Sequence, residues 1–485
     1  MIMAQERAML KSQQQLAALW ELTERSHAEG RRIDELEREL FTQLLTLGHT
    51  LLGAFVAAAG DGDEGKTVER NERTLRRSAA KHPRRYVSIF GVLSIKRFVY
   101  AARAGQHAEY RPLDARLGLP ANDFSYVLVD WQQRMCLKDS FAEAVDSLDT
   151  LLGVAPSVRA AEHGNRCLAR HAEAFRLAQP PPDPTEEGEI LVLTADGKGV
   201  PMRRPLEERV RRGPRRAKGE KANKKQMAYV AAVYSIAPFV RTADEVVDEL
   251  LRRARSKDRP QPEHKRVWAE MTRVEDGDDC TGRERLFVET AIELTHRDPD
   301  RQKPIVCLMD GEAGLWNMQR EWAPRAIGIL DLFHVLERLW HAAYCFHREQ
   351  SPEAEAFVTH RLRMLLAGKV GYVIGGLRRL LKQHGLTGER RRTLAAAIRY
   401  FGNNRDHMRY DEYLAAGYPI GSGVAEGACR HVVKDRLERT GMRWTTQGAQ
   451  ALLHLRAIYL NGDWDHYIES HIQTEQATQY GHLAA

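Results

Sequence analysis

The sequence contains few cysteines, and none of them belongs to a short paired motif. Its six cysteines lie far apart along 485 residues, without a CxxC pair. This spacing excludes a disulfide framework and a zinc finger of the usual kind. We therefore expect the chain to work in a reducing compartment, the cytoplasm.

Long apolar runs and an export signal are also missing. We find no apolar run near the roughly 20 residues that a membrane-spanning helix needs. The N-terminus mixes charged and apolar residues at helical spacing and has no small-residue cleavage site. With 43% hydrophobic and 29% charged residues, the composition is typical of a globular chain. We expect no membrane partner, and the length predicts two to four domains.

Positive charge is concentrated rather than abundant. The formal net charge is only +7, whereas the segment 203–225 has eleven Lys or Arg and three Glu, a net charge of +8. Such a concentration favours contact with a phosphate backbone, which gains free energy by releasing counterions. A solvated, flexible loop has the same composition and is the alternative. The candidate nucleic-acid-binding residues of this segment are Arg211, Arg212, Arg215, Arg216, Lys218, Lys224 and Lys225.

The N-terminal part of the chain is predicted to be mainly helical. Periodic apolar positions predict two amphipathic helices within residues 1–60, which could dimerise or simply pack. Residues 61–110 are a basic linker followed by β-branched and aromatic residues around Gly91, a pattern typical of a short hairpin. Residues 111–179 are predicted to be helical, and the proline-rich acidic run at 180–188 marks a domain boundary.

Two of these helices have the pattern of a helix-turn-helix. Within residues 139–175, one helix is followed by a glycine-proline turn and by a second helix that Ser157 would cap. The second helix of such a motif can read a DNA major groove, here through Arg159, His163 and Arg166. Helix pairs joined by short turns are common in any helical domain, so packing alone is the alternative.

After residue 188 the pattern changes to short, apolar, β-prone runs that alternate with helices. Residues 189–348 contain ILVLTAD, QMAYVAAVYSI and PIVCLMD, which predict the strands of an α/β sheet. Strand signals disappear over 349–415, which predicts an all-helical insertion. Residues 416–470 return to the sheet domain with a glycine-rich turn and two helices, and a polar tail follows at 471–485.

Two aspartates follow apolar strands, and each precedes a glycine. Asp196 and Asp310 are expected at strand ends, where α/β sheets place their ligand sites, with a glycine turn after each. A third acid, Glu426, lies in the first turn of a later helix. Carboxylate oxygens are the ligands that Mg²⁺ or Mn²⁺ prefers. The pattern predicts a site for two metal ions, bridged by Asp196, that could catalyse displacement at phosphorus.

Each acid considered alone has a simpler interpretation. An Asp-Gly after a strand is often an ordinary turn, and Glu426 could belong to a capping arrangement that begins at Ser422 or Gly423. Asp331 and His334, spaced as DxxH, could form a helix cap with a packed histidine.

Cations follow Glu426 at helical spacing. Arg430 at i+4 and Lys434 at i+8 are expected on the same face as the acid. They could hold a phosphate backbone beside the metals, or form an i,i+4 ion pair worth only about a few tenths of a kcal/mol. Arg443 and Trp444 could hold a DNA end, although a tryptophan at this spacing is more often a core residue.

Four motifs carry a resemblance to a known family: LTADGKGVPM, CLMDGEAGLW, DLFHVLERLW and PIGSGVAEGACRHVVKDRLERTGMRWT. They resemble the motifs of the ISKra-four family of bacterial insertion-sequence transposases, which is related more distantly to the Mutator-like group. The resemblance covers about half the chain, from Leu191 to the Trp444 motif. It implies an RNase H-like core with a helical insertion, and it carries Asp196, Asp310 and Glu426 over as a DDE triad. Asp331 and His334 resemble an accessory motif that lies between the second and third acids of related transposases, where His334 could contact the scissile phosphate or flanking DNA.

A transposase of this kind would cut DNA at the ends of its element and join those ends to target DNA. The expected partners are terminal inverted repeats and target DNA, bound by a homodimer or higher oligomer, and the expected cofactor is two Mg²⁺ or Mn²⁺ ions. The chain would then lie at the nucleoid. A structure-specific nuclease or resolvase could use the same core without strand transfer. Intact acids count against a third reading, a noncatalytic DNA-binding derivative.

Overall fold

The computed structural model describes most of the chain. The described residues are 2–70, 72–103, 106–203, 225–251, 259–275, 278–421, 423–439 and 441–481. Side chains are described within these ranges except at 2–5, 273–275, 278–280, 425 and 426. The chain divides into two compact units: the first contains Met1–His171 with Asp465–Ala485, and the second contains Ala172–Trp464.

The first unit begins with two long helices, as the apolar periodicity predicts. α1 (Ile2–Ala28) and α2 (Ile33–Ala58) pack against each other. By length and composition, α2 alone among the described helices could cross a membrane. The expectation that no apolar run approaches that length is therefore wrong, because no charged residue occurs between Glu39 and Asp61. One such helix near the N-terminus is a weak indication of a membrane span, since a signal sequence meets the same criteria.

Two small antiparallel hairpins follow these helices. β1 (Thr67–Arg70) pairs with β2 (Arg73–Arg77), which also pairs with the short β5 (Tyr100–Ala101). β3 (His82–Ser88) and β4 (Gly91–Arg97) form a separate two-stranded ribbon. The hairpin predicted for this region is therefore confirmed.

Short helices complete the N-terminal part of the first unit: α3 (Pro112–Arg116), α4 (Tyr126–Lys138), α5 (Phe141–Leu152) and α6 (Val158–Leu168). The predicted helix-turn-helix pair is α5 and α6. The last turn of α5 is closed by Gly153 in the left-handed conformation, and the Ser157 side chain accepts a hydrogen bond from the backbone of Ala160 at the start of α6. The end of α5 and the start of α6 are as predicted, but α6 ends at Leu168, before the end of the predicted stretch. DNA reading by α6 stays a prediction.

The second unit contains seven described strands: β6 (Ile190–Pro201), β7 (Lys225–Ile236), β8 (Glu263–Met271), β9 (Arg273–Glu275), β10 (Asp278–Cys280), β11 (Ile305–Met309) and β12 (Ile327–Leu330). Five of them form a mixed sheet in the order β12-β11-β6-β7-β8. β7 is antiparallel to both of its neighbours, β6 and β8, while β11 and β12 run parallel to β6. The predicted α/β character is therefore confirmed for this unit.

The strand that carries Asp196 does not end there, so the predicted glycine turn is wrong. β6 continues to Pro201 and stays paired with β7, with Gly197 opposite Tyr229. The antiparallel partner satisfies the backbone groups that a turn would have had to satisfy. A Cβ at Gly197 would lie only 2.9 Å from the Met227 side chain and 3.1 Å from Tyr229. The glycine therefore serves close packing within the sheet rather than a turn.

Twelve described helices surround the sheet: α7 (Ala172–Leu177), α8 (Ala243–Leu250), α9 (Gly282–Arg297), α10 (Ala313–Trp322), α11 (Leu332–Ala343), α12 (Pro352–Leu366), α13 (Val370–Gln383), α14 (Gly388–Asn403), α15 (Tyr410–Ala415), α16 (Gly423–Ala428), α17 (Asp435–Leu437) and α18 (Thr446–Asn461). As predicted, residues 352–415 form helices and no strand. Their side chains share one buried cluster with the sheet, because Leu377 and Phe401 belong to the same core as Leu193 and Leu308.

The free edge of β8 is covered by α18. The Gln450 side chain accepts a hydrogen bond from the backbone of Met271 at 2.7 Å and donates one to the carbonyl of Ala269 at 3.2 Å. Asn461 accepts from the backbone of Val267 at 2.8 Å in the same way. These amides satisfy an edge strand that would otherwise be open to another strand.

The last helix, α19 (Trp464–Tyr480), belongs almost wholly to the first unit. The prediction of a polar tail at 471–485 is therefore wrong for residues 471–480, which are helical. The sheet domain ends at Trp464 and not at residue 470 as predicted. Tyr467 is fully buried, and the Tyr480 hydroxyl donates to the carbonyl of Leu119 at 2.7 Å. Polar composition concealed this helix, because its few buried positions are spaced along one face.

Candidate active site

The strand register brings Asp196 and Asp310 together. Met309 is the last residue of β11 and pairs with Ala195 of β6, and an aspartate follows each of them: Asp310 directly after β11, and Asp196 within β6. Side chains of paired residues on parallel strands share a face, so the two carboxylates lie beside each other on one face of the sheet. The charge of Asp196 contributes to raising the pKa of Asp310.

Asp310 is held from several sides. Burial is the largest cause of its raised pKa, and the backbone N–H of Glu312, which donates to Oδ1 at 2.9 Å, partly opposes that rise. The Tyr400 hydroxyl donates to the Asp310 carbonyl at 2.7 Å. Gly311 has φ +91°, and a Cβ there would lie 2.9 Å from the Leu330 side chain. A glycine is therefore required immediately after this acid.

Asp331 and His334 fit both interpretations of the DxxH motif, as a helix cap and as an accessory pair beside the acids. Asp331 is fully buried and caps α11, because its carboxylate accepts from the backbone N–H of Phe333 at 2.8 Å. His334 Nδ1 lies 3.5 Å from Asp331 Oδ2. Asp331 is the largest cause that raises the pKa of His334 to about 9, and the charges of Asp310 and Asp196 add to it. The neighbouring acids therefore favour the protonated form of His334.

Glu426 lies on α16, and its side chain is outside the described residues, as is Ser422 of the alternative capping arrangement. The backbone of α16 packs against β6 and β7. Cys429 follows α16 directly, and its buried thiol donates a hydrogen bond to Asp196. Because Glu426 precedes Cys429 by about one helical turn, its backbone lies near the two aspartates.

The helix changes geometry immediately after α16. Residues Cys429–Lys434 form a π-helix, whose turn is wider than that of an α-helix. Because the side chain of Glu426 lies outside the described residues, the expectation that Lys434 shares a face with Glu426 stays a prediction. The buried Arg456 of α18 donates to the carbonyls of Val432, at 2.8 Å, and of His431. These bonds satisfy backbone acceptors within the π-turn, and burial lowers the pKa of Arg456 to about 10.

The other predicted DNA-binding residues have different surroundings. Arg430 and Lys434 are exposed, and Arg430 Nε lies 3.7 Å from Asp435. Lys225 forms an ion pair with Glu438. Arg159 and Arg166 are exposed on α6 of the first unit. Arg211, Arg212, Arg215, Arg216, Lys218 and Lys224 lie outside the described residues.

Trp444 is a core residue, as the simpler interpretation predicts. Its side chain is buried, and Nε1 donates to the carbonyl of Leu437 at 3.1 Å. The backbone of Trp444 also bonds to Pro201 and Arg203 at the end of β6. The Trp444 ring is therefore part of the core, and the backbone around it extends the pairing at the end of β6.

Sequence reasoning missed Arg283 and Glu312. Arg283 Nη1 lies 2.8 Å from Glu312 Oε1, and its guanidinium lies 5.4 Å from the Tyr229 ring centroid. A Cβ at Gly314 would lie 1.4 Å from Arg283, so the glycine makes room for this cation at the start of α10. Glu312 could have been noticed two residues after Asp310. No local sequence pattern marks Arg283, because only the tertiary fold brings α9 to the loop that carries Glu312.

The donor set suits a hard divalent cation. No group of three or more His, Cys, Asp or Glu arranged to hold a metal occurs among the described side chains, which exclude Glu426. Asp196 and Asp310 offer carboxylate oxygens, the ligands that Mg²⁺ and Mn²⁺ prefer. Asp196 and Asp331 both raise the pKa of Asp310, while His334 lowers it. A divalent cation would balance this excess of negative charge.

Comparisons with known proteins leave the family open. No protein-family model matches the chain, and no curated protein matches it. Among solved structures, the chain is similar to a chain of a Drosophila P element transposase strand transfer complex. The TM-score is 0.22 and the identity 11%, over 76% of this chain and 82% of that chain. At this level two chains need not share a fold, so the function must be argued from the site.

Proposed function

We propose that the chain is a DDE transposase that cuts and joins DNA, of the bacterial insertion-sequence type that the four motifs resemble. The observation that carries this proposal is the strand register, in which Met309 pairs with Ala195 and sets Asp196 beside Asp310. Helix α16, which carries Glu426, packs against the same strand as Asp196. Two strand-held acids and one helix-held acid are the arrangement that a DDE triad needs.

The strand order supports an RNase H-like core for this chain. Three consecutive antiparallel strands are followed by two parallel strands that join the sheet beside the first one. The acids lie on the first of these strands and after the fourth. The helices of 352–415 come between Asp310 and Glu426 in sequence, as the motif resemblance implies.

Asp196, Asp310 and Glu426 would hold two Mg²⁺ or Mn²⁺ ions. Bound there, the ions would activate the attacking water or 3′-hydroxyl and stabilise the leaving oxygen. Asp196 lies on the central strand and would be one of the residues that hold the ions. His334, whose pKa Asp331 raises, would donate a hydrogen bond to an oxygen of the scissile phosphate. The sheet fixes the two aspartates, which limits reorganisation when the substrate binds.

The triad is tested with Asp196→Asn, which keeps the size of the side chain and removes its charge. The variant should lose Mg²⁺-dependent cleavage of a DNA duplex that carries the element ends, and it should still bind that duplex. Asp300→Asn is the matched control, because Asp300 is an exposed acid of the same unit. Cleavage that persists in Asp196→Asn would show that the triad is wrongly assigned.

Strand transfer separates a transposase from a nuclease. We expect the wild-type protein to join cleaved 3′-ends to a supercoiled target plasmid, giving products that contain both DNA molecules. Hydrolysis without joined products would favour a structure-specific nuclease or resolvase on the same core. Binding of the ends without cleavage by the wild-type chain would favour a noncatalytic derivative.

A further inference from the structure

A second concentration of positive charge lies in the hairpins of the first unit. From Lys66 to Arg103 the sequence has eleven Lys or Arg and two Glu, a net charge of +9. This exceeds both the +7 of the whole chain and the +8 of segment 203–225. The β3–β4 ribbon, residues 82–97, contains no Asp or Glu.

The ribbon has two faces of different character. Its register pairs Arg84 with Ile95 on one face and Arg85 with Ser94 on the other. Ile95 is buried, so the first is the inner face, which packs into the unit. The outer face carries the exposed residues Pro83, Arg85, Val92, Ser94 and Lys96, and it is buried only near the turn, at Val87.

The cations of the inner face are already neutralised. Arg84 Nη1 lies 2.6 Å from Asp114 Oδ2, and Arg97 Nε lies 2.5 Å from Asp114 Oδ1. Asp114 is buried, and both arginines are nearly so. One buried carboxylate therefore holds both guanidinium groups, and these two residues serve the structure of the unit.

The cations of the outer face lack such compensation. Arg85 has one acid at ion-pair distance within the described chain, Asp123 at 3.8 Å, and both side chains are about half exposed. A pair of this kind contributes less than about 1 kcal/mol. Lys96 is exposed and has no described carboxylate at ion-pair distance. Arg73 and Arg76 of β2, in the other small sheet of the first unit, are also exposed and have no described carboxylate at ion-pair distance.

We propose that the outer face of the ribbon, with Arg85 and Lys96, binds the phosphate backbone of double-stranded DNA without reading its sequence. The proposal rests on the proposed function, which makes DNA the substrate. Each ribbon strand has seven residues and spans about 23 Å, at about 3.3 Å per residue, long enough to follow several phosphates. The outer face carries no aromatic side chain on which single-stranded bases could stack, so a duplex is favoured.

The test compares two double variants of the full chain on a random-sequence DNA duplex. In Arg85→Gln with Lys96→Gln, the slope of log K against log salt should fall by about 1.8, because each phosphate contact contributes about 0.9. Affinity at low salt should fall about tenfold or more. Arg7→Gln with Arg25→Gln removes the same charge from exposed positions of α1 and should change neither quantity. Fluorescence anisotropy over a salt series measures both, and thermal melting checks that each variant is folded.

The outcomes separate this proposal from the proposed function. An unchanged slope in the ribbon variant, or an equal fall in the α1 variant, would overturn the ribbon as the contact while leaving cleavage by the acids intact. Stronger competition by single-stranded RNA than by duplex DNA would overturn it in favour of a different ligand. A wild-type chain that neither binds nor cleaves DNA would overturn both proposals.

Discussion

Two groups of carboxylates lie on opposite faces of the five-stranded sheet, and their surroundings differ. Asp196 pairs with Val230 of β7, while Glu270 of β8 pairs with the next residue of β7, Tyr229. Side chains of successive residues alternate between faces, so the two acids lie on opposite sides. Glu270 is fully buried and has strong counter-charges, with His454 at 2.7 Å and Arg176 at 3.1 Å.

Acids such as Glu270 are paired with cations inside the fold, whereas the acids of the candidate active site lack enough cations to neutralise them. Arg176 also lies 3.2 Å from Glu289, whose pKa burial raises to about 7. This group therefore contains its own cations. The candidate active site contains more acids than cations, and Asp310 has a raised pKa as a result of burial and of its acidic neighbours. Buried charge without internal compensation is costly, which is why such clusters mark functional sites.

The largest expected effect is on the active-site group. Asp310→Asn should abolish Mg²⁺-dependent cleavage and should leave the metal-free protein as stable as the wild type or more so. An acid whose folded pKa is raised costs stability above its usual pKa, and the amide removes that cost. Cleavage assays and thermal melting at neutral pH measure the two effects. A variant that cleaves normally, or one that is unfolded, would contradict the comparison.

The buried group should respond in the opposite way. Glu270→Ala leaves Arg176 and His454 without their buried acceptor, and it should lower the free energy of unfolding by about 3–5 kcal/mol. Cleavage per folded molecule should be retained. Asp244→Ala is the matched control, because its pair with Arg363 at 2.8 Å is exposed and should contribute less than about 1 kcal/mol. Urea unfolding compares them, and equal stability of the two variants would refute the distinction.

The smallest expected effect is a pH dependence at the accessory pair. Because the folded pKa of His334 is raised to about 9 from 6.5, its contribution to stability is complete below about pH 6.5 and is lost as pH rises through about 9. His334→Gln should remove this dependence in metal-free protein. Melting temperatures of both proteins between pH 6 and pH 10 measure it. Parallel curves would show that His334 does not carry the proton beside Asp331.

Much of the fold could be predicted from local patterns. The apolar runs located β6, β7 and β11, and the Ser157 cap located the start of α6. These features are determined within a few residues, by hydrophobic periodicity and by capping hydrogen bonds. The continuation of β6 past Asp196 could not be predicted, because it depends on pairing with β7 across a segment of more than twenty residues.

The candidate site divides in the same way. Its acids stand out in sequence, since Asp-Gly after an apolar strand is a local pattern. Cys429, Tyr400 and Arg283 do not, because they reach Asp196, the Asp310 carbonyl and Glu312 only through contacts between distant elements. The π-turn after Glu426 was equally hidden, since Arg456, which supports it, lies about 25 residues further along the chain.

The sequence by itself determined where strands, caps and candidate acids lie, because each depends on neighbours a few positions away. Only the tertiary structure decided which acids are neutralised, since Arg176 and His454 are 94 and 184 residues from Glu270. It also decided that Asp196 and Asp310 stand side by side, because a parallel register is fixed by packing of the sheet and not by either strand alone.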